Sequence, residues 1–187
     1  MKPVLVSLAI MIMPGFAQQD WVALPDGYTW EDAPANQHKF ITSFITSSLL
    51  SPSLNQAILA QWPDDQLPER LEFSEIDLNG DDRPEIFIGV PDYSGTGGTA
   101  FLILSPTDEG LHYVGSVFGY DFEFLTPING WSQIKGYSRG GGGHHTRYLA
   151  QFTGARYEDV RIENHNMIDR TVRIRDTKAE QGVAPNP

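Results

Sequence analysis

The chain contains no cysteine, so no disulfide can staple it and no lipid can be attached through a lipobox cysteine. Basic residues are scarce: 13 Lys and Arg stand against 24 Asp and Glu, for a formal net charge of −11. Phosphate backbones and anionic bilayers need clustered Lys and Arg, so nucleic acid and anionic membrane surfaces are excluded as partners. A basic partner or divalent cations remain open, and acidity also serves solubility alone. Long apolar runs are missing too. The stretch 4–16 is broken by Ser7, Pro14 and Gly15 and is too short to span a bilayer as a helix. With neither disulfides nor membrane to lean on, the fold must be stabilised by core burial, with metal as a further aid.

What is present at the start reads as a secretory signal over residues 1–17. Lys2 supplies the positive end, 4–16 the apolar stretch, and Gly15 and Ala17 the small residues that a signal peptidase requires. Cleavage is expected before Gln18, leaving one domain over 18–175, no membrane insertion, and a periplasmic or secreted location.

Within the domain, Trp21, Leu24, Tyr28 and Trp30 form an aromatic lead-in. Over 36–50, Phe40, Ile41, Phe44, Ile45 and Leu49 recur at helical spacing, with Asn36 as N-cap and Pro52 as terminator. A second short helix follows from Ser53, carrying Leu54, Ala57, Ile58 and Trp62 up to Pro63. Beyond Pro68 the pattern changes to short β-branched and aromatic runs between Gly, Asn and Asp turns. These runs, at about 71–76, 85–90, 99–105, 111–118, 131–137, 146–152, 156–162 and 170–175, indicate antiparallel strands in a meander. Ile86, Phe87, Ile88 and Val90 read as a central strand covered on both sides. Residues 176–187 read as a disordered polar tail. The expected class is α+β: N-terminal helices over 36–62 packed on an antiparallel, meander-like sheet over 70–175.

The strongest chemical signal is 77–85. Asp77, Asn79, Asp81 and Glu85 place side-chain oxygens at positions one, three, five and nine, the spacing by which a tight loop wraps a hard cation, and Arg83 would add its backbone carbonyl at position seven. Ca2+ is the cofactor this spacing permits. The same residues also suit a strand connection in which Asp and Asn bind their own backbone with no ion. Both readings stay open.

The loop resembles the calcium loops of FG-GAP-type repeats and, less closely, those of EF-hands and dockerins. It departs from them at Asp82, where glycine is usual, and at Ile88, where an EF-hand has its bidentate glutamate. The order of landmarks also resembles a group of small exported bacterial domains, mostly of unknown function. The loop is followed by Ser94, Gly95, Thr96, Gly97, Gly98 and Thr99, then Asn129, Gly130 and Trp131, a glycine cluster, and a turn around Thr153 and Gly154. Ser94 and Thr99 stand where that group often carries a cysteine pair. The resemblance implies fold and location, not a reaction.

Three further patterns carry chemistry on paper. Gly136, Ser138 and Gly140 match a hydrolase nucleophile elbow, with Asp159 and His165 following in the right order. An elbow, however, needs a strand turning into a helix, which 140–143 opposes. Asp121 and Glu123 form a carboxylate pair that alternation places on one polar strand face. Arg139, His144, His145 and Arg147 give the glycine loop 140–143 a local positive character, suited to a protein partner. The expectation is therefore a non-catalytic exported binding protein, of inhibitor or immunity type, acting on an envelope partner. A calcium-stabilised structural domain is the alternative, and a serine hydrolase the third.

Overall fold

A computed structural model describes residues 21–24, 26, 40, 42–62, 66–90 and 97–176. The expected signal peptide, and the expected tail beyond Asp176, lie outside the described residues. Among the latter are eleven strands, one α-helix and one short 3-10 turn. The strands are β1 Val22–Ala23, β2 Ser43–Thr46, β3 Arg70–Ile76, β4 Glu85–Gly89, β5 Thr99–Thr107 and β6 Gly110–Gly119. They continue with β7 Asp121–Ile128, β8 Trp131–Arg139, β9 His144–Phe152, β10 Tyr157–Asn166 and β11 Thr171–Asp176. The helix, α1, is Pro52–Leu59 and follows the 3-10 turn Ser47–Leu49. No helix among the described residues is long and apolar enough to cross a membrane.

This corrects the expected α+β class to mostly β. Two antiparallel sheets, ordered β2-β3-β4-β5-β6 and β1-β11-β10-β9-β8-β7, form the body, and a single short helix accompanies them. The expected helix over 36–50 fails for a definite reason. Its apolar residues do not share one face: Phe40 enters the core between the sheets, Ile45 packs toward α1, and Phe44 points outward at 54% exposure. Ser43–Thr46 instead pairs antiparallel with β3, Ser43 opposite Phe73 and Thr46 opposite Arg70. An exposed sheet edge offers backbone partners that a short helix with β-branched residues cannot outbid. The second helix does form, but one turn signal earlier than expected. Ser51 is the N-cap, its Oγ accepting from Leu54 N at 3.2 Å, and Pro52 takes the first helical position, where its missing N–H costs nothing.

The chain runs as one long meander folded over between β6 and β7, which only Tyr120 separates. The five-stranded sheet becomes a middle layer. Alternate residues serve opposite faces: Phe87, Phe101, Ile103 and Val117 meet Phe122, Ile134, Tyr148, Ala150 and Tyr157 of the six-stranded sheet. On the other face Leu71, Ile88, Val90 and Leu104 meet Leu54 and Ile58 of α1. Each fully buried side chain of this size contributes about 1.5–3 kcal/mol by removal from water, so the two clusters carry the stability that disulfides do not.

The fold-over dictates Gly97 and Gly98, and Gly119 opposite them. A Cβ on Gly97 would lie 2.8 Å from Arg139 O, and one on Gly98 or Gly119 would overlap the backbone of Gly119 or Tyr137. Three segments cross at this corner, with Tyr120 N donating to Tyr137 O at 2.9 Å, and only glycine permits the approach. A second close approach occurs on β8, where a Cβ on Gly136 would overlap the Tyr148 ring. That ring crosses to the other sheet and accepts from Phe118 N at 3.0 Å.

Candidate functional site

The loop 77–85 joins β3 to β4 and is closed on itself. Asp77 Oδ1 accepts from Gly80 N at 2.7 Å and Oδ2 from Asp82 N at 3.2 Å. Asn79 Oδ1 accepts from Asp81 N and Asp81 Oδ1 from Arg83 N, both at 2.9 Å. Gly80 and Asp82 both adopt positive φ, 75° and 64°, so Asp82 takes the left-handed conformation in which calcium-type loops place glycine. Partial desolvation pushes the Asp77 carboxyl up, but the N–H groups of Gly80, Asp82, Asn79 and Asp81 outweigh it and hold it below the ordinary aspartate value.

At the base of the loop, Glu85 is fully buried. Its Oε2 accepts from Leu78 N at 2.7 Å, and its Oε1 accepts from Ser105 Oγ at 3.0 Å and Asn79 Nδ2 at 3.3 Å. Burial pushes this carboxyl up, the Leu78 and Ser105 bonds offset part of that, and Asp81 adds repulsion. The arrangement fixes Leu78, which is buried between the sheets and whose carbonyl accepts from Ser132 N of β8 at 2.7 Å. Arg83 ties the loop's flank to the β5–β6 turn through Asp108 at 2.8 Å.

The Asn79 amide directs Nδ2 toward Asp81 Oδ2 at 3.2 Å and Glu85 Oε1 at 3.3 Å. Among the described residues, no group of three or more His, Asp or Glu side chains is arranged to hold a metal ion.

The four basic residues near the glycine loop do not act together. Arg139, at the end of β8, lies over the Tyr120 ring at 4.9 Å. His144 opens β9 with its ring 6.5 Å from Trp21. Arg139 is in register with His145, so the pleat puts Arg139, His145 and Arg147 on one face and His144 on the other, with His145 and Arg147 in register with His165 and Glu163. What His144 joins is an end surface built from two hairpin turns, 140–143 and 167–170, linked by Met167 N donating to Gly143 O at 3.0 Å. Trp21 and Ile168 are exposed there at 38% and 73%, and Arg173 stacks on Trp21 at 4.9 Å.

Ser138 and His165 are kept apart. Ser138 sits in extended β8 and lines, with Ser116, Thr146 and Asp159, a cleft between the sheets. His165 points to the opposite face, bonding Glu163 at 3.3 Å. The Gly-x-Ser-x-Gly pattern thus runs through a strand and into a hairpin rather than a strand-to-helix turn. Asp121 and Glu123 do share the outer face, but their partners differ. Asp121 Oδ1 accepts from Phe122 N at 2.9 Å, whereas Glu123 accepts from Lys135 Nζ at 3.3 Å and the Tyr137 hydroxyl at 3.1 Å.

Sequence reasoning missed the densest polar arrangement, the outer face of the six-stranded sheet. In register across β7 to β11 it carries Glu123, Lys135, Leu149, Arg161 and Asp176 in one row, and Tyr137, Arg147, Glu163 and Ile174 in the next. The alternation Arg161, Glu163, His165 is visible in the sequence; the cross-strand pairing is not. Comparison with protein-family models, curated proteins and solved structures finds no match.

Proposed function

We propose that the protein is a non-catalytic exported binding protein, of inhibitor or immunity type, whose envelope partner docks on the turn end of the six-stranded sheet. The observation that carries this reading is exposed Trp21 and Ile168, with His144 and Arg173 against Trp21. Exposed aromatic and arginine side chains around an apolar centre are the composition of interface hot spots, and two cross-linked turns on a sheet present them with little ordering cost. The features of 1–17 support export. A photo-crosslinking residue at position 168 should give a saturable one-to-one adduct in envelope extract, and one at 108 should not. Ile168→Asp should abolish the complex while leaving the melting curve unchanged. Equal adducts from both positions, or a complex indifferent to Ile168→Asp, would refute the docking surface.

A second reading, favoured by the left-handed Asp82, is a calcium-stabilised structural domain. Asp82 has φ 64°, at the position where calcium-type loops usually carry glycine. At about 1 mM calcium, a site with a dissociation constant of about 10⁻⁴ to 10⁻³ M stabilises the fold by about 0.4–1.4 kcal/mol. Melting with calcium and with chelator decides it: coincident curves leave the loop a self-bonded turn.

A further inference from the structure

The outer face of the six-stranded sheet contains a cavity of about 210 Å³ lined by Leu125, Lys135, Arg147, Leu149, Arg161 and Glu163. Lys135 and Arg161 both pair in register with Leu149. They therefore flank it from neighbouring strands, their Cα atoms roughly 10 Å apart at ordinary strand spacing. Their donors are only partly used among the described residues. Arg161 directs Nε to Glu163 at 2.9 Å and Nη1 to Asp176 at 3.3 Å, which leaves Nη2 of a five-donor fork. Lys135 Nζ donates to Glu123 at 3.3 Å and meets Tyr137, with one further N–H direction available.

We infer that this cavity is a binding site for a small carboxylate with a short apolar body, held between Arg161 and Lys135 over Leu125 and Leu149. The size and the mixed lining select the ligand. Drug-sized sites run to roughly 300–1,000 Å³, so this one suits a fragment of a few carbons. Planar guanidinium donors match a carboxylate in geometry as well as charge. A phosphate dianion carries more charge into a face that already holds Glu123, Glu163 and Asp176, and like-charge repulsion disfavours it. One carboxylate of the cavity wall, Glu163, already accepts from Arg161 Nε at 2.9 Å. The bond to His165, opposed by burial and reinforced by Arg161, pulls the Glu163 carboxyl down to about 2. Because Glu123, Glu163 and Asp176 compete for the same cations, the expected dissociation constant is on the order of 1 mM. The site is separate from the turn end proposed for the partner and stands or falls without it.

Methyl NMR of the full chain tests this with butyrate, butyramide and inorganic phosphate as probes. Butyrate is expected to shift the Leu125 and Leu149 methyls saturably, with butyramide and phosphate each at least about tenfold weaker, a difference of about 1.4 kcal/mol. Arg161→Gln should weaken butyrate by a similar factor. Because Arg161 also holds Asp176 of β11, Lys135→Met provides a second variant that leaves that contact intact and should weaken butyrate too. Absence of saturable shifts up to about 50 mM butyrate, equal binding of butyramide, or unchanged binding in both variants would overturn the assignment.

Discussion

Removing the Glu85 carboxylate tests the argument at the point where loop and core meet. Glu85 is buried, and its oxygens are the acceptors for Leu78 N at 2.7 Å and Ser105 Oγ at 3.0 Å. In Glu85→Ala both donors face a void. Each unsatisfied buried donor costs about 1–3 kcal/mol, and loss of the charge-assisted bond to Leu78 loosens a residue packed between the sheets. The expected destabilisation is about 3–5 kcal/mol, in the range for breaking a buried charged contact. For a domain of this size that corresponds to a fall in Tm of about 6–20 °C. Glu85→Gln keeps shape and one acceptor but turns an amide N–H toward Asn79 Nδ2, so a smaller cost, about 1–2 kcal/mol, is expected.

The pH dependence gives an independent sign. Burial places the folded-state value of Glu85 above the ordinary 4.5, so the folded state takes up its proton more readily than the unfolded state. Its contribution is fully present below pH 4.5 and lost as pH rises through the folded value. Wild type should therefore gain on Glu85→Gln as pH falls from neutral toward that value. Urea unfolding followed by tryptophan fluorescence at a series of pH values reads both quantities. A Glu85→Ala cost below about 1 kcal/mol, or parallel pH profiles for wild type and Glu85→Gln, would refute the reasoning.

Three further outcomes are expected. Glu163, pulled from 4.5 to about 2, contributes stability that is present above pH 4.5 and lost as pH falls through about 2, by at most about 3 kcal/mol; in acid titrations the gap between wild type and Glu163→Gln should close over that window, and a constant gap would contradict the pairing. Gly136→Ala drives a Cβ into the Tyr148 ring and should cost about 1–3 kcal/mol, a cost that Tyr148→Leu in the same chain should largely remove; additive losses in denaturant melts would show that the ring does not lie there. Asp82→Gly relieves a left-handed residue at φ 64° and should change stability by a gain of up to about 1 kcal/mol, the added freedom of the unfolded chain offsetting part of the relief; a loss above about 1 kcal/mol would place Asp82 in a conformation other than this one.

Several parts of the fold were legible because they depend on local pattern. The runs at 71–76, 85–90 and 99–105 lie on β3, β4 and β5, since alternation and turn residues are properties of neighbouring positions. The buried run around Phe87 and Ile88 marked a strand covered on two sides, and the loop 77–85 was recognisable by its spacing of oxygens. The segment 36–50 misled for the same reason. Its apolar spacing is helical, yet β3 offered a free edge, and that edge is absent from any local window. β7 was passed over as a strand in its own right because its first residues read as aromatics among carboxylates.

Sequence alone determined the absence of disulfides, the acidic balance, the positions of the central strands and the chemistry available in the loop, because each follows from residue type and short-range order. Tertiary structure alone decided that the meander folds over at Tyr120, that Gly97, Gly98 and Gly119 are required by the crossing there, and that Lys135 and Arg161 flank Leu149 from neighbouring strands. It also decided that Ser138 and His165 stand on opposite faces. These are consequences of register and layer packing between segments far apart in the chain, where a shift of one residue turns every side chain of a strand to the other side.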